Sequence, residues 1–211
     1  MKLTKHGHSC VTLELEGKKL IIDPGGFTDD LGDIADVVGV VVTHRHADHL
    51  NVEHLLKIIT ANPKVCIFLP EDAADQVEHS RVEVSKQGES QKVGPFDLAF
   101  YGEKHALIHG DVPKDKNVAV LVNGEFFHPG DSFTKPDKHV KLLGLPVSGP
   151  WLKLGEAIDY ALEMKPDACV AIHDHVNSKA GNDVADSIIR GKLGEAGIEY
   201  HRLAANESVD I

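Results

Sequence analysis

Apolar residues recur along the chain in two rhythms, and the rhythm changes at glycine and proline. Val11, Leu13 and Leu15 alternate with Thr12, Glu14 and Glu16, the period-two pattern of a half-buried strand. Residues 3–6 precede it as a first strand, and residues 18–23 follow across a Gly17 turn, which suggests a hairpin. Residues 36–42, Asp36-Val37-Val38-Gly39-Val40-Val41-Val42, read as a buried strand. Residues 50–59 read as a helix that ends before Asn62-Pro63, because proline disfavours helix at the residue before it. Next come a short strand at 65–69, a short acidic helix at 70–79, and strands within 81–86 and 89–101. Residues 117–122 and 125–128 flank Asn123-Gly124, the strongest short-range hairpin signal. A buried strand at 141–147 leads to Leu154, Ala157, Ile158, Ala161 and Leu162, whose spacing makes one apolar helix face, ended by Pro166. A strand at 168–172, a helix at 183–194 and a strand at 198–203 complete the chain. The runs fall into two similar halves, which suits an α/β fold with four αββα layers, held as a single domain over residues 1–211.

The candidate chemistry concentrates where the 36–42 strand stops. Thr43-His44-Arg45-His46-Ala47-Asp48-His49 carries four metal-ligand side chains, His44, His46, Asp48 and His49. In extended chain His44 and His46 point to the same side and can reach one ion. Asp48 and His49 lie past the bend and can reach a second. Imidazole suits zinc, iron and nickel, and a carboxylate also admits manganese. Sites in open α/β sheets commonly sit at such carboxyl ends of strands.

Other polar residues also close apolar strands. Asp23 precedes Pro24-Gly25, where it either caps the turn or orients a ligand histidine. His105 follows the strand ending at Tyr101-Gly102, with His109 four residues on. Asp131 follows a glycine just after the hairpin, where it can point into a site. His173 closes the 168–172 strand, with His175 as its alternate. His128 is left outside the ligand set. His79, His139 and His201 are isolated and read as surface residues.

Composition narrows the class. A chain of 211 residues, 42% hydrophobic and 26% charged, can bury a sizeable core without staples. Cys10, Cys66 and Cys169 each sit in an apolar run and read as buried core residues of a reducing compartment, which points to the cytoplasm. The first residues lack the apolar stretch of a signal peptide, and no run suggests a membrane span. The net charge of −11 opposes a large phosphate-backbone footprint, so nucleic acid is not the expected partner. A small anionic substrate remains compatible, since bound metals invert the local field.

The H-x-H-x-D-H segment, with Asp23, His105, Asp131 and His173 in order around it, resembles the metallo-β-lactamase superfamily. Gly7-His8-Ser9 and Pro146-Val147-Ser148-Gly149-Pro150-Trp151 resemble its compact branch related to ascorbate-6-phosphate lactonase. The resemblance implies the four-layer αββα sandwich and two divalent metal ions, zinc first, with manganese, nickel and iron admitted. It implies His44, His46 and His105 at one metal, Asp48, His49 and His173 at the other, Asp131 bridging them, and Asp23 in support. The implied activity is hydrolysis of a small ester, lactone or phosphodiester by a hydroxide between the metals, with Asp48 and Asp131 as the catalytic carboxylates. Lys153, Arg45 and Trp151 are candidates for shaping the pocket. The rival functions are a nucleic-acid phosphodiesterase and a non-catalytic metal-binding protein, and a homo-oligomer is left open.

Overall fold

The computed structural model describes residues 1–112 and 115–211. Among the described residues fourteen strands make two seven-stranded sheets. The first sheet contains β1 (Lys2–Lys5), β2 (Val11–Leu15), β3 (Lys18–Ile22), β4 (Val37–Val41), β5 (Cys66–Leu69), β6 (Val82–Val84) and the last strand, β14 (Ser208–Asp210), in the order β14-β1-β2-β3-β4-β5-β6. The second contains β7 (Ser90–Val93), β8 (Phe96–Tyr101), β9 (Ala119–Val122), β10 (Phe126–His128), β11 (Leu142–Pro146), β12 (Ala168–Ile172) and β13 (Glu199–His201), in the order β13-β12-β11-β10-β9-β8-β7. Each sheet is antiparallel on one side and parallel on the other, with the change at β3/β4 in the first and β10/β11 in the second. Both sheets are therefore mixed, and the two halves mirror one another in construction.

Strand alternation builds the layers. Val41 packs between the sheets with Phe68, Phe100 and Val120, while its neighbours Val40 and Val42 face Leu55 and Ile58 of α1 (Val52–Ala61). In β12, Val170 joins the same central layer, and Cys169 and Ala171 face Ala161 of α2 (Leu154–Met164) and Ile189 of α3 (Lys179–Glu195). A strand that is buried on both faces reads as a continuous apolar run. The result is a four-layer αββα sandwich. Among the described residues no helix is long and apolar enough to cross a membrane.

The structure departs from the sequence reading in five places. The acidic segment at 70–79 forms only a 3-10 helix, Glu71–Gln76, too short to bury a full helical face. The run at 89–101 breaks into β7 and β8 at Gly94-Pro95, where Gly94 has φ +55°. Helix α3 starts at Lys179, four residues before the expected start at 183; the Ser178 hydroxyl accepts the Gly181 N–H at 3.1 Å, and Gly181 and Asn182 are weak helix formers that conceal the first turn. Strand β14, with Val209 as its lone apolar residue, carries no alternation to read, and it forms by pairing with β1. His79 is half-buried, with its Nε2–H 3.0 Å from the Val65 carbonyl, and is not the free surface residue expected.

A buried ionic chain joins the sheets beside the site. Lys5, at the end of β1, is 1% exposed. Its ammonium donates to the Ala171 carbonyl of β12 at 2.9 Å and pairs with Asp174. Arg202 also donates to Asp174, at 2.7 Å, and pairs with Asp186 of α3. Burial lowers the Lys5 ammonium pKa more than its carboxylate neighbours raise it, so this contact is costly to leave half made. Lys5→Met should lower the unfolding free energy by about 3 kcal/mol, the low end for a broken buried pair because Arg202 still serves Asp174. Lys18→Met removes the exposed pair with Asp36 and should leave the urea midpoint unchanged. Equal midpoint shifts for the two variants would contradict this ranking.

Candidate metal centre

Six loops meet at one rim of the sandwich, and each leaves the carboxyl end of a strand. From the first sheet come His8 after β1, Asp23 after β3 and residues 43–49 after β4; from the second come His105 after β8, Asp131 after β10 and His173 after β12. The loop after β4 is tight. His46 O accepts from His49 N–H at 2.9 Å and Leu50 N–H at 2.8 Å, which delays the start of α1 until Asn51 caps it. Gly25 packs directly on this loop; a Cβ there would lie 1.8 Å from the Asp48 carbonyl oxygen.

Asp23 organises the turn from beneath. It is fully buried with φ +50°. Its Oδ1 accepts Thr43 N–H at 2.7 Å, and its Oδ2 accepts Thr43 Oγ1–H at 2.7 Å and His49 Nδ1–H at 2.7 Å. The carboxylate thus does more than cap its own turn.

Two clusters of ligand-type atoms stand side by side. His44, His46, His105 and Asp131 form one, and His8, Asp48, His49 and His173 the other, with the atoms of each within 4.8 Å of one another. Asp131 also reaches the second cluster. Its Oδ1 lies 3.1 Å from His49 Nε2, and its Oδ2 lies 3.0 Å from His173 Nε2 and 3.3 Å from His105 Nε2. His44 Nε2 is 3.1 Å from His46 Nδ1. Ligands arranged tetrahedrally on zinc stand about 3.3 Å apart, given metal–ligand bonds near 2.0–2.1 Å.

The far side of each ring sets its proton. Thr43 Oγ1 gives its hydrogen to Asp23, so it accepts from His44 Nδ1 at 3.1 Å. His49 donates Nδ1–H to Asp23, His105 donates Nδ1–H to Ala106 O at 2.5 Å, and His46 donates Nε2–H to Asp115 at 2.7 Å. In its neutral form each of these rings therefore turns a lone pair inward. The Nε2 atoms of His49, His105 and His173 and the Oδ1 of Asp131 are buried without a hydrogen-bond partner among the described residues. Lone pairs converging on a carboxylate are an acceptor surplus that a cation satisfies, so these residues fit a metal ion.

The electrostatics agree. Burial opposes charge on Asp131, yet the His49 and His173 imidazoles outweigh it and hold the carboxyl well below its usual range. Burial likewise opposes a proton on His49, but Asp131 and Asp23 overcome it and raise that ring well above its usual value. The field that draws a proton there also draws a metal cation. Asp48 is held well below the usual carboxylate range: burial opposes this, and the His173 and His8 imidazoles beside it prevail. Trp151 Nε1–H donates to Asp131 Oδ2 at 2.7 Å, and the Ser148 hydroxyl donates to the His173 carbonyl. The 146–151 loop thereby steadies both a carboxylate and a histidine of the site.

All seven residues expected as ligands, His44, His46, Asp48, His49, His105, Asp131 and His173, come together here. His109 does not; its side chain is 71% exposed. His175 lies at the edge, its Nε2 3.7 Å from Asp29. His128 is buried beneath the site, accepting Gly130 N–H on Nδ1 and donating Nε2–H to Ser9 O at 3.0 Å. Arg45 pairs with Asp115, and Lys153 extends into solvent. Two residues went unread in the sequence. Asp115 lies in the long β8–β9 loop, and only the tertiary fold reveals its bond to His46. His8 stood beside Gly7 in a noted motif but outside the histidine cluster. A cavity of about 200 Å³ opens beside His46 and His105, lined also by Lys104, Leu107, Val112 and Asp115.

Known proteins resemble this chain in sequence and in fold. The family described as Beta-lactamase superfamily domain matches residues 2–173. Protein Rv0786c of Mycobacterium tuberculosis is 32% identical over 182 residues, which cover 83% of this chain and 85% of that protein. A UPF0173 metal-dependent hydrolase of Geobacillus sp. (strain WCH70) is 28% identical over 171 residues, covering 76% of this chain and 62% of that protein. Among solved structures, the metallo hydrolase Igni18 of Ignicoccus hospitalis superposes with a TM-score of 0.76 at 21% identity, covering 99% of this chain and 97% of that one. The metallo-β-lactamase fold protein YhfI of Bacillus subtilis gives 0.73 at 13% identity, covering 99% and 98%. With the fold, the ordered ligand motifs and the family match in agreement, the chain belongs to the metallo-β-lactamase superfamily.

Proposed function

We propose that the protein is a metal-dependent hydrolase of a small ester, lactone or phosphodiester. The observation that carries this reading is Asp131, one buried carboxylate facing two adjacent sets of inward lone pairs. His44, His46 and His105 would hold one divalent cation and Asp48, His49 and His173 a second, with Asp131 between them. Zinc is the first choice for so many imidazoles, and manganese, nickel and iron fit the same donors. Cations so held supply Lewis-acid polarisation of a carbonyl or phosphoryl oxygen and lower the pKa of the water they bind. Asp48, whose side chain is 23% exposed, would guide the proton leaving the attacking water, as a weak base because its neighbours hold its pKa low. Trp151 keeps Asp131 oriented while charge shifts around it.

The opening supports this substrate class. A cavity of about 200 Å³ admits one small group, and its lining of Leu107, Ile108 and Val112 beside Lys104 suits a compact molecule with a negative charge. The net charge of −11 repels a polyanion away from the metals. The likeness of Gly7-His8-Ser9 and residues 146–151 to the sugar-phosphate lactonase branch supports the same class. Named relatives are metal-dependent hydrolases. Cys10, Cys66 and Cys169 are free and buried, which supports a reducing compartment, the cytoplasm.

The test is metal analysis joined to turnover on lactones, carboxylic esters and phosphodiesters, with zinc, manganese and nickel loaded separately. Small substrates should be hydrolysed with little dependence on salt. Cleavage of RNA or single-stranded DNA with small substrates untouched would replace this reading with a nuclease. Bound metal with no turnover on any substrate would replace it with a metal-binding protein.

Asp131→Ala should lower metal content and turnover together, because the carboxylate faces both clusters. Two ions per chain and full turnover in that variant would remove the bridge. His105→Ala should release one ion per chain, whereas His109→Ala, out in solvent, should retain both. The reverse outcome would exchange their roles.

A further inference from the structure

By distance alone His8 is a fourth ligand of the second cluster. Its Nε2 lies 3.2 Å from Asp48 Oδ2, and its ring centroid is 4.1 Å from that of His173. Its hydrogen bonds say otherwise. His8 Nδ1 accepts the backbone N–H of His175 at 3.2 Å. A neutral imidazole has one proton, so with Nδ1 accepting, that proton sits on Nε2. His44, His46, His49 and His105 show the opposite arrangement, in which the outer nitrogen donates and the inner one keeps its lone pair. His128, a buried ring outside both clusters, accepts on Nδ1 and donates from Nε2 just as His8 does.

The backbone fixes this choice. The His8 carbonyl accepts His173 N–H at 3.1 Å, so the β1–β2 loop and residues 173–175 are joined at two points. That register keeps the His175 N–H aimed at Nδ1. It also requires an unusual main chain, with φ +102° at Gly7 and +47° at His8. A Cβ at Gly7 would lie 2.9 Å from His175 Cε1 and from Asp29 Oδ2. The His8 side chain is fully buried and edged by Phe27 at 5.2 Å, so it has little freedom to turn over.

We propose that His8 is a positioning residue, whose Nε2–H holds the Asp48 carboxylate in line for the second metal while His8 itself takes none. The proposal rests on the two-metal reading for what Asp48 does, but the tautomer of His8 is a property of the chain alone. Asp48 is the carboxylate that most needs such a partner. Its side chain is 23% exposed, against 4% for Asp131, and Trp151 already secures the latter.

Two measurements test it. Long-range proton–nitrogen NMR of uniformly 15N-labelled protein, with His8 assigned by its disappearance in His8→Gln, reads each ring's protonated nitrogen before and after zinc. His8 should show Nε2–H in both spectra, while the ligand rings shift at their inward nitrogens. An Nδ1–H form whose Nε2 shifts with zinc would make His8 a ligand and overturn the proposal. In zinc titration, His8→Gln, whose amide can donate near the place of Nε2, should bind the second ion within about threefold of the parent, and His8→Leu about 10–100-fold more weakly, as for a lost outer partner. Loss of one ion per chain in both variants, or no change in either, also overturns it. A parent chain that binds no zinc at all would sink the two-metal reading and the role of His8 in it. The ring spectrum would still decide separately whether the bond to Asp48 exists.

Discussion

The buried carboxylate of Asp23 is the contact on which the site's shape depends. It closes β3, yet its three hydrogen bonds go to the loop after β4. A buried carboxylate costs heavily unless its lone pairs are occupied, and these are occupied by groups whose positions then become fixed. Thr43 is held at both its N–H and its hydroxyl, and the hydroxyl in turn sets the tautomer of His44. His49 is held by its outer nitrogen, which turns the inner one toward Asp131. One side chain thus orients two histidines of different clusters.

The second dependence is between the sheets. His44, His46, Asp48 and His49 come from the first sheet, and His105, Asp131 and His173 from the second. Either cluster therefore draws on both sheets, and a cation bound in it would tie them together. The rest of the rim carries permanent links of the same kind. Lys5 crosses from β1 to Ala171 and Asp174, and His8 crosses to the backbone N–H groups of His173 and His175 through its carbonyl and its ring. These links hold the residue that follows β12, His173, with φ +56°, a conformation a histidine adopts only where its surroundings impose it.

Much of this was legible in the sequence because it is local. The H-x-H-x-D-H spacing, the Asn123-Gly124 hairpin with φ of +52° and +67°, and the apolar alternation that sorts Val40, Val41 and Val42 into different layers are all set within a few residues. Parts determined across long separations were not. Asp115 acquires a meaning only when it meets His46, 69 residues away, and Lys5 only when it meets Asp174, 169 residues away. Strand β14 offers Ser208, Val209 and Asp210, and nothing in that triplet announces a strand until β1 supplies its partner. His8 was visible in its motif, but its neighbour His6 turns to Thr12 instead, and the partner that gives His8 a role, Asp48, lies 40 residues away.

A cluster of ligand-type atoms within bonding distance does not by itself say which atoms bind. His8, His49 and His173 all approach Asp48, and separations of 3.2, 3.9 and 3.5 Å cannot rank them. The opposite nitrogen separates His49 from His8. Where it donates to a carboxylate, a carbonyl or a committed hydroxyl, the ring faces the site with a lone pair; where it accepts an amide, the ring faces the site with a proton. By that criterion His49 offers a donor atom to a metal, and His8 offers a hydrogen bond to the carboxylate beside it. The distinction follows from where the loops place a backbone N–H, so the division of labour among the histidines is a property of the fold as much as of the residues themselves.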